Sequence, residues 1–258
     1  MLRVLQLSDP HLLADPRGRC RGRVALEALN HAWCQALEQL DQPPDLLLIS
    51  GDLCQEESLG GYVRLRELLE TWAVPTALLS GNHDHPALLR AALGRRAWIA
   101  PAVVSLAGWE LLLLSSHRPG AVDGWLEPAQ ISWLQRQLQA GQGPVLVALH
   151  HPPVPIGSAE LDRIALQQPE RLLRPLLASS RVGGVVFGHV HQHWQGTLAR
   201  SGGAPLPLWA CPSTLAAFSA VQPCPLGHAD WPGGRLLLLG ADGHVTTRLL
   251  RWPPAQAA

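Results

Sequence analysis

The strongest constraint on the fold of this chain is a repeated pattern. A short apolar run ends, five times, in a small cluster of aspartate, asparagine or histidine. Residues 4–7 lead into D-P-H at Asp9 and His11, and 46–50 into G-D at Asp52. Residues 76–79 lead into G-N-H-D at Asn82 and His83, 145–149 into H-H-P-P at His150, and 185–187 into G-H-V-H at His189 and His191. Runs of this length, bounded by turn residues, read as buried strands. Open α/β sheets bind ligands beyond the carboxyl ends of their strands, so the five clusters are expected to meet in space although they are far apart in sequence.

What lies between the runs supports an α/β reading. Helical periodicity covers 24–40, where Leu26, Leu29, Trp33, Leu37 and Leu40 share a face and Asp41, Pro43 and Pro44 end the helix. Further helices are expected over 59–72, after Pro86, over 128–138 with Pro128 in the first turn, and over 170–177. Strands are expected at 111–115 and 206–210, and hairpins at Ala107-Gly108 and Asp242-Gly243. The first half alternates strand and helix and the second half is richer in strands, which predicts a mixed sheet or two packed sheets. With no repeat and no linker, residues 1–252 read as a single domain and 253–258 as a frayed tail.

Composition narrows the partners. The chain has 258 residues, of which 47% are hydrophobic and 16% charged, as suits a core whose sheet faces are covered. The net charge is zero and every basic residue is arginine, so no electrostatic field favours nucleic acid or an anionic membrane. The five cysteines form no C-x-x-C, which argues against a disulfide framework or a structural zinc site. The start M-L-R-V-L-Q-L-S-D-P-H has no signal-peptide character, and no run is long enough to span a membrane, so a cytoplasmic location is expected. The arginines of R-G-R-C-R-G-R at 17–23 could steer an anionic substrate, but the stronger reading is a solvated flexible loop. Most of the ten tryptophans read as core or packing residues, with a base-stacking platform the weaker alternative.

Carboxylate, imidazole and amide oxygen together suit manganese, iron, zinc or cobalt. If D-x-H and H-x-H are extended, residues two apart point to the same side. A carboxylate such as Asp52 can bridge two ions about 3.5–4 Å apart, and such a pair cleaves phosphate esters. A lone aspartate or histidine at a strand end is ordinarily a cap or turn residue, so it is the set that carries the reading. His117 and His193 read as polar loop residues and His31 as surface. His150 and its neighbour His151 both remain open as ligands.

D-x-H, G-D, G-N-H-D, H-x-P and G-H-x-H together resemble the calcineurin-like metallophosphoesterases, over nearly the whole chain from Leu2 to about Arg251. The resemblance implies two metal ions. Asp9, His11, Asp52 and His191 would hold one; Asp52, as the bridge, with Asn82, His150 and His189 would hold the other. His150 is chosen because the family's histidine stands two before a proline, here Pro152. Asp52, Asn82 and His83 would be the catalytic set. Asn82, His83 and His191 would meet the substrate, His83 without binding metal.

A finer resemblance, to bacterial class III cyclic AMP phosphodiesterases, rests on G-D-L-C-Q (51–55), G-W-L-E-P-A-Q-I-S-W-L (124–134), H-H-P-P-V-P-I-G-S (150–158), G-H-V-H-Q (188–192) and C-P-S-T (211–214). It implies a four-layer α/β/β/α sandwich, two mixed sheets flanked by helices. It also implies hydrolysis of 3′,5′-cyclic AMP to 5′-AMP by in-line attack of a metal-bound hydroxide, with His83 serving the leaving 3′-oxygen. The alternative is a broader phosphodiesterase for glycerophosphodiesters or nucleotide anhydrides; a non-catalytic scaffold ranks last because every ligand is present. One departure matters. Protein serine/threonine phosphatases place an aspartate three residues after the G-D aspartate, where this chain has Gln55. That argues against a protein phosphatase and leaves the partner of His83 open, with Asp84 a candidate. The expected partner is a small-molecule phosphodiester, and the chain is expected as a monomer or homodimer.

Overall fold

The computed structural model describes residues 1–255. Its first sheet has the strand order β14-β13-β1-β4-β5-β6, formed by β1 (Leu2–Leu7), β4 (Leu46–Ile49), β5 (Thr76–Leu78), β6 (Trp98–Ile99) and the hairpin β13 (Gly233–Leu239) and β14 (Val245–Arg251). The second has the order β11-β12-β10-β9-β8-β7, formed by β7 (Ala102–Leu106), β8 (Trp109–Leu113), β9 (Val145–Ala148), β10 (Val182–Phe187), β11 (Trp194–Leu198) and β12 (Leu206–Ala210). Both sheets are mixed. β1, β4, β5 and β6 run parallel, as do β8, β9, β10 and β12, while each sheet carries an antiparallel hairpin at an edge.

Period-two alternation assembles the layers. Leu5, Leu7, Leu47, Ile49 and Leu78 face helices α1 (Ala25–Glu38), α2 (Leu59–Trp72) and α3 (Pro86–Leu93). Their neighbours Val4, Leu46, Leu48, Ala77 and Leu79 face the second sheet, meeting Leu111, Leu113, Leu146, Ala148 and Val186. Leu112, Val145, Val147, Val185 and Phe187 point outward against α4 (Pro128–Ala140) and α6 (Glu170–Ala178). The result is the α/β/β/α order, and it follows from strands that are apolar on both faces.

The helix face of α1 differs from the expectation. Its buried residues are Ala25, Ala28, Leu29, Ala32, Trp33 and Ala36, and Leu26, Leu37 and Leu40 are only partly buried. Small side chains let the helix lie close on the sheet, and Trp33 stacks on Trp72 with ring centroids 4.7 Å apart. A short helix, α5 (Ala159–Arg163), was not legible in the periodicity; Ser158 caps it by accepting a bond from the Leu161 amide. Trp98 departs from the core reading at 43% exposure, whereas Trp109 and Trp252 are buried. The arginine-rich stretch is not a flexible loop: β2 (Arg19–Cys20) and β3 (Arg23–Val24) pair as an antiparallel ribbon. The start of the expected tail is tied down, since the Pro253 carbonyl lies 3.0 Å from His31 Nε2; residues 256–258 fall outside the described ones. Among the described residues no helix is long and apolar enough to cross a membrane.

Candidate metal centre

The loops after β1, β4, β5, β9 and β10 meet at one edge, at the seam between the sheets. Backbone bonds lock them together. The Asp9 amide donates to the Gly51 carbonyl (3.1 Å), the His11 amide to the Asp52 carbonyl (3.0 Å), and the Gly188 amide to the His150 carbonyl (3.1 Å). Across the seam, the His189 amide donates to both carboxylate oxygens of Asp9 at 3.2 Å. Ser213 Oγ, from the loop after β12, donates to the Asp9 carbonyl (2.8 Å).

The route by which D-x-H and H-x-H converge differs from the extended pairing expected of them. Asp9 (φ 52°), His11 (φ 47°), Asp52 (φ 48°), His189 (φ 68°) and His191 (φ 52°) all adopt left-handed backbone. Aspartate and histidine tolerate that region better than most residues, yet each pays of order 1 kcal/mol or more there. The kinks turn side chains inward that a pleated strand would have sent along its face. Glycines make the space. A Cβ on Gly81 would stand 2.1 Å from Asp52 Oδ1 and 2.7 Å from His150 Nε2. One on Gly188 would stand 2.2 Å from Ser8 Oγ and 3.0 Å from Asp9 Oδ2.

Two groups of ligand atoms result. Those of Asp9, His11, Asp52 and His191 all lie within 4.8 Å of one another, and so do those of His150, His151 and His189. Asp52 stands between the groups, with Oδ2 3.7 Å from His11 Nε2 and Oδ1 3.5 Å from His150 Nε2. His191 Nε2 is 3.4 Å from Asp9 Oδ1. Asn82 joins the second group through Oδ1, which lies 3.1 Å from His189 Nδ1.

Hydrogen bonds on the far side of the rings set which nitrogens carry protons. His150 Nδ1 lies 2.7 Å from the Ser50 carbonyl and His191 Nδ1 lies 3.0 Å from the Ala216 carbonyl. Each donates from Nδ1 there, so Nε2 is the nitrogen turned toward the cluster, and it is bare whenever the imidazole is neutral. His191 Nε2 nevertheless sits 3.1 Å from His11 Nε2, and His150 Nε2 sits 3.3 Å from His189 Nδ1. Converging imidazole lone pairs beside two buried carboxylates call for cations between them. The residues therefore fit metal binding. His151 differs: Nδ1 is 2.8 Å from Ser116 Oγ and Nε2 is 3.3 Å from the Val122 carbonyl, so both nitrogens are engaged elsewhere.

The electrostatics agree. Burial works against the charge on Asp9 and Asp52, but the histidines around them hold both carboxyls below the usual range, Asp52 the further. Burial pushes His11 down to about 4 and, with His150, pushes His189 down to about 3, so both are neutral at pH 7. Burial also acts to lower His150, but the Asp52 carboxylate beside it outweighs this and raises the imidazole to about 9. The anionic site thus draws positive charge to the place a metal would take.

Other residues complete the edge. The His83 amide donates to Asp52 Oδ1 (3.0 Å), and its Nδ1 lies 3.3 Å from the Gln55 carbonyl. The partner of His83 is therefore that carbonyl and not Asp84. Asp84 is buried and already accepts from the amides of Leu53, Cys54 and Gly81 and from the Tyr62 hydroxyl. His117 is more than a loop residue, because its Nδ1 lies 2.9 Å from the Gly81 carbonyl and it steadies the G-N-H-D turn. The signal was present: it too follows the end of an apolar strand. His193 is buried and faces the Arg235 guanidinium at 3.1 Å, which makes it part of the packing between sheets.

The profile of the calcineurin-like phosphoesterases matches residues 2–193. The chain belongs to that family. It is 48% identical over its full length to a protein of Synechococcus sp. (strain WH7803) named a probable cyclic nucleotide phosphodiesterase, 99% of which is covered. It is 36% identical, over 96% of its length and 89% of the relative, to the 3′,5′-cyclic adenosine monophosphate phosphodiesterase CpdA of Pseudomonas aeruginosa. The corresponding protein of Escherichia coli (strain K12) is 33% identical, over 97% of this chain and 90% of that one. Among solved structures, a dimetal phosphatase from Danio rerio superposes with a TM-score of 0.65 at 13% identity, covering 96% of this chain and 99% of that one. That superposition speaks for the fold of this phosphoesterase.

Proposed function

We propose that this phosphoesterase is a dinuclear-metal phosphodiesterase that hydrolyses 3′,5′-cyclic AMP to 5′-AMP. The observation that carries the proposal is the division of ligand atoms around Asp52, whose two carboxylate oxygens each face a histidine of a different group. The names of the relatives at 33–48% identity support the substrate. In this reading Asp9, His11, Asp52 and His191 hold one ion, and Asp52, Asn82, His150 and His189 hold the other. Manganese, iron, zinc and cobalt all suit the donor set.

A bound metal pair supplies Lewis acidity and an activated water at neutral pH. The protein supplies the rest. Asn82 turns Oδ1 toward His189, which leaves its amide NH₂ for a phosphoryl oxygen. His83 commits Nδ1–H to the Gln55 carbonyl, so Nε2 is its free nitrogen. A proton held there would pass to the 3′-oxygen as the bond from phosphorus to that oxygen breaks, while the incoming water bonds to phosphorus through its oxygen and releases a proton to solvent, from which His83 is reprotonated. A cytoplasmic setting belongs to the same proposal, in keeping with five cysteines that are all free.

The test is turnover by manganese-loaded protein of 3′,5′-cyclic AMP, 3′,5′-cyclic GMP, 2′,3′-cyclic AMP, glycerophosphocholine and a phosphomonoester. A clear kcat/KM preference for 3′,5′-cyclic AMP, abolished in Asp52→Ala, is the expected result. Equal rates on all diesters would replace the cyclic AMP reading with that of a broad phosphodiesterase.

A further inference from the structure

The arginine-rich ribbon β2–β3 has no place in the metal chemistry, yet it reaches the site. Its turn, Arg21-Gly22, has φ of 50° and 78°, the left-handed pair of a tight two-residue hairpin, so the ribbon presents Arg21 in a defined direction. On the preceding strand, Cys20 Sγ lies 3.5 Å from Oε1 of Gln55, the residue whose carbonyl faces His83. The Arg21 guanidinium lies over the ring of Phe218, with Cζ 4.6 Å from the centroid. Phe218 in turn lies flat on His191, with ring centroids 4.2 Å apart and an interplanar angle of 4°. Phe218 thus contacts both groups, the imidazole by flat stacking and the guanidinium by a cation–π contact.

The stack constrains an imidazole that needs constraint. The bond from His191 Nδ1 to the Ala216 carbonyl fixes which nitrogen carries the proton, but the ring can still rock about that bond. A flat contact along its face blocks the rocking. Phe218 itself sits in a stretch without regular secondary structure and is only half-buried, so its contact with Arg21 is one of the few that keep it in place.

We propose that Phe218 is a positioning residue for His191 and that Arg21, carried by the ribbon, holds Phe218 in place. The inference rests on His191 being a metal ligand. Its test therefore uses cobalt(II) titrated into metal-free protein, read by visible absorption, which reports ligand geometry and affinity without turnover.

Phe218→Ala is expected to weaken one of two cobalt sites by about 10–100-fold and to shift its absorption bands, as loss of a group that orients a metal ligand typically does. Phe218→Tyr, which keeps the flat face, restores both. Phe218→Leu, which keeps the bulk but not the face, behaves like Phe218→Ala and guards against a variant that fails to fold. Arg21→Ala weakens the same site by about two- to fivefold, the scale of an exposed cation–π contact. Native cobalt affinity and spectrum in both Phe218→Ala and Phe218→Leu would overturn the inference, and a raised KM alone would make the ring a substrate wall instead. His191→Ala separates the two levels. If it retains both cobalt sites, the ligand assignment is wrong; if it loses one while Phe218→Ala loses none, the assignment stands and the positioning role falls.

Discussion

The two ligand groups share Asp52 and differ in almost everything else. The first adds a second carboxylate, Asp9, and takes all but His191 from loops of one sheet, whereas the second takes Asp52 and Asn82 from one sheet and His150 and His189 from the other. The second adds an amide, Asn82, and crowds three imidazoles: His151 lies 4.7 Å from His189 and 4.8 Å from His150, ring to ring. The first group thus offers more negative charge to a cation and the second more neutral donors. Two carboxylates attract a hard divalent ion more strongly than one carboxylate and an amide. On the proposed reading Asp52 would serve two sites of unequal charge, set apart by Asp9 in one and Asn82 in the other.

Breaking the bridge should have the largest effect. Asp52→Ala is expected to drop bound metal from two ions per chain to near none and turnover to background, measured by elemental analysis beside cyclic AMP hydrolysis. Retention of one tightly held ion would show that the first group does not need Asp52. Next comes His83→Ala, with an expected kcat loss of about 10²–10⁴-fold, the usual range for general acid catalysis, and both metals retained. A parallel loss of metal would make His83 a ligand.

The remaining predictions sharpen the difference between the groups. Graded chelation should remove metal in two phases, the weaker ion first. Asn82→Ala should abolish the weaker phase and spare the stronger, whereas Asp9→Asn should soften the stronger. A single phase in all three proteins would mean that the groups act as one site. The smallest effect is expected from Ser116→Ala, which frees His151 Nδ1 and lets that ring turn toward His150 and His189. The weaker site should then change affinity by about tenfold, within the range seen for residues that orient metal ligands. No change would confine Ser116 to packing.

Gly81 shows how far such a site is legible in sequence and where legibility ends. G-N-H-D can be read as a turn after a strand, and its asparagine as a ligand candidate. That the glycine is required because a Cβ would collide with Asp52 and His150, from two other loops, cannot be read there. The same holds for the left-handed backbone of Asp9 and His191, which D-x-H and H-x-H suggest only as extended. His150 and His151 are adjacent in sequence and chemically identical, and only their partners separate them: the Ser50 carbonyl for one, Ser116 and the Val122 carbonyl for the other. Phe218 is invisible in sequence because stacking on His191 joins residues of separate loops.

By itself the sequence determined the strands, most of the helices, the two-sheet expectation and which donor-bearing residues are candidates to hold metal. These are written in local terms, as apolar period, turn chemistry and donor type. Tertiary structure decided which nitrogen each histidine turns inward, which of two neighbouring histidines is free, what His83 leans on, and how the arginine ribbon reaches the site. Each of those is a contact between segments far apart in the chain, and a distance across a fold has no counterpart in the order of residues along it.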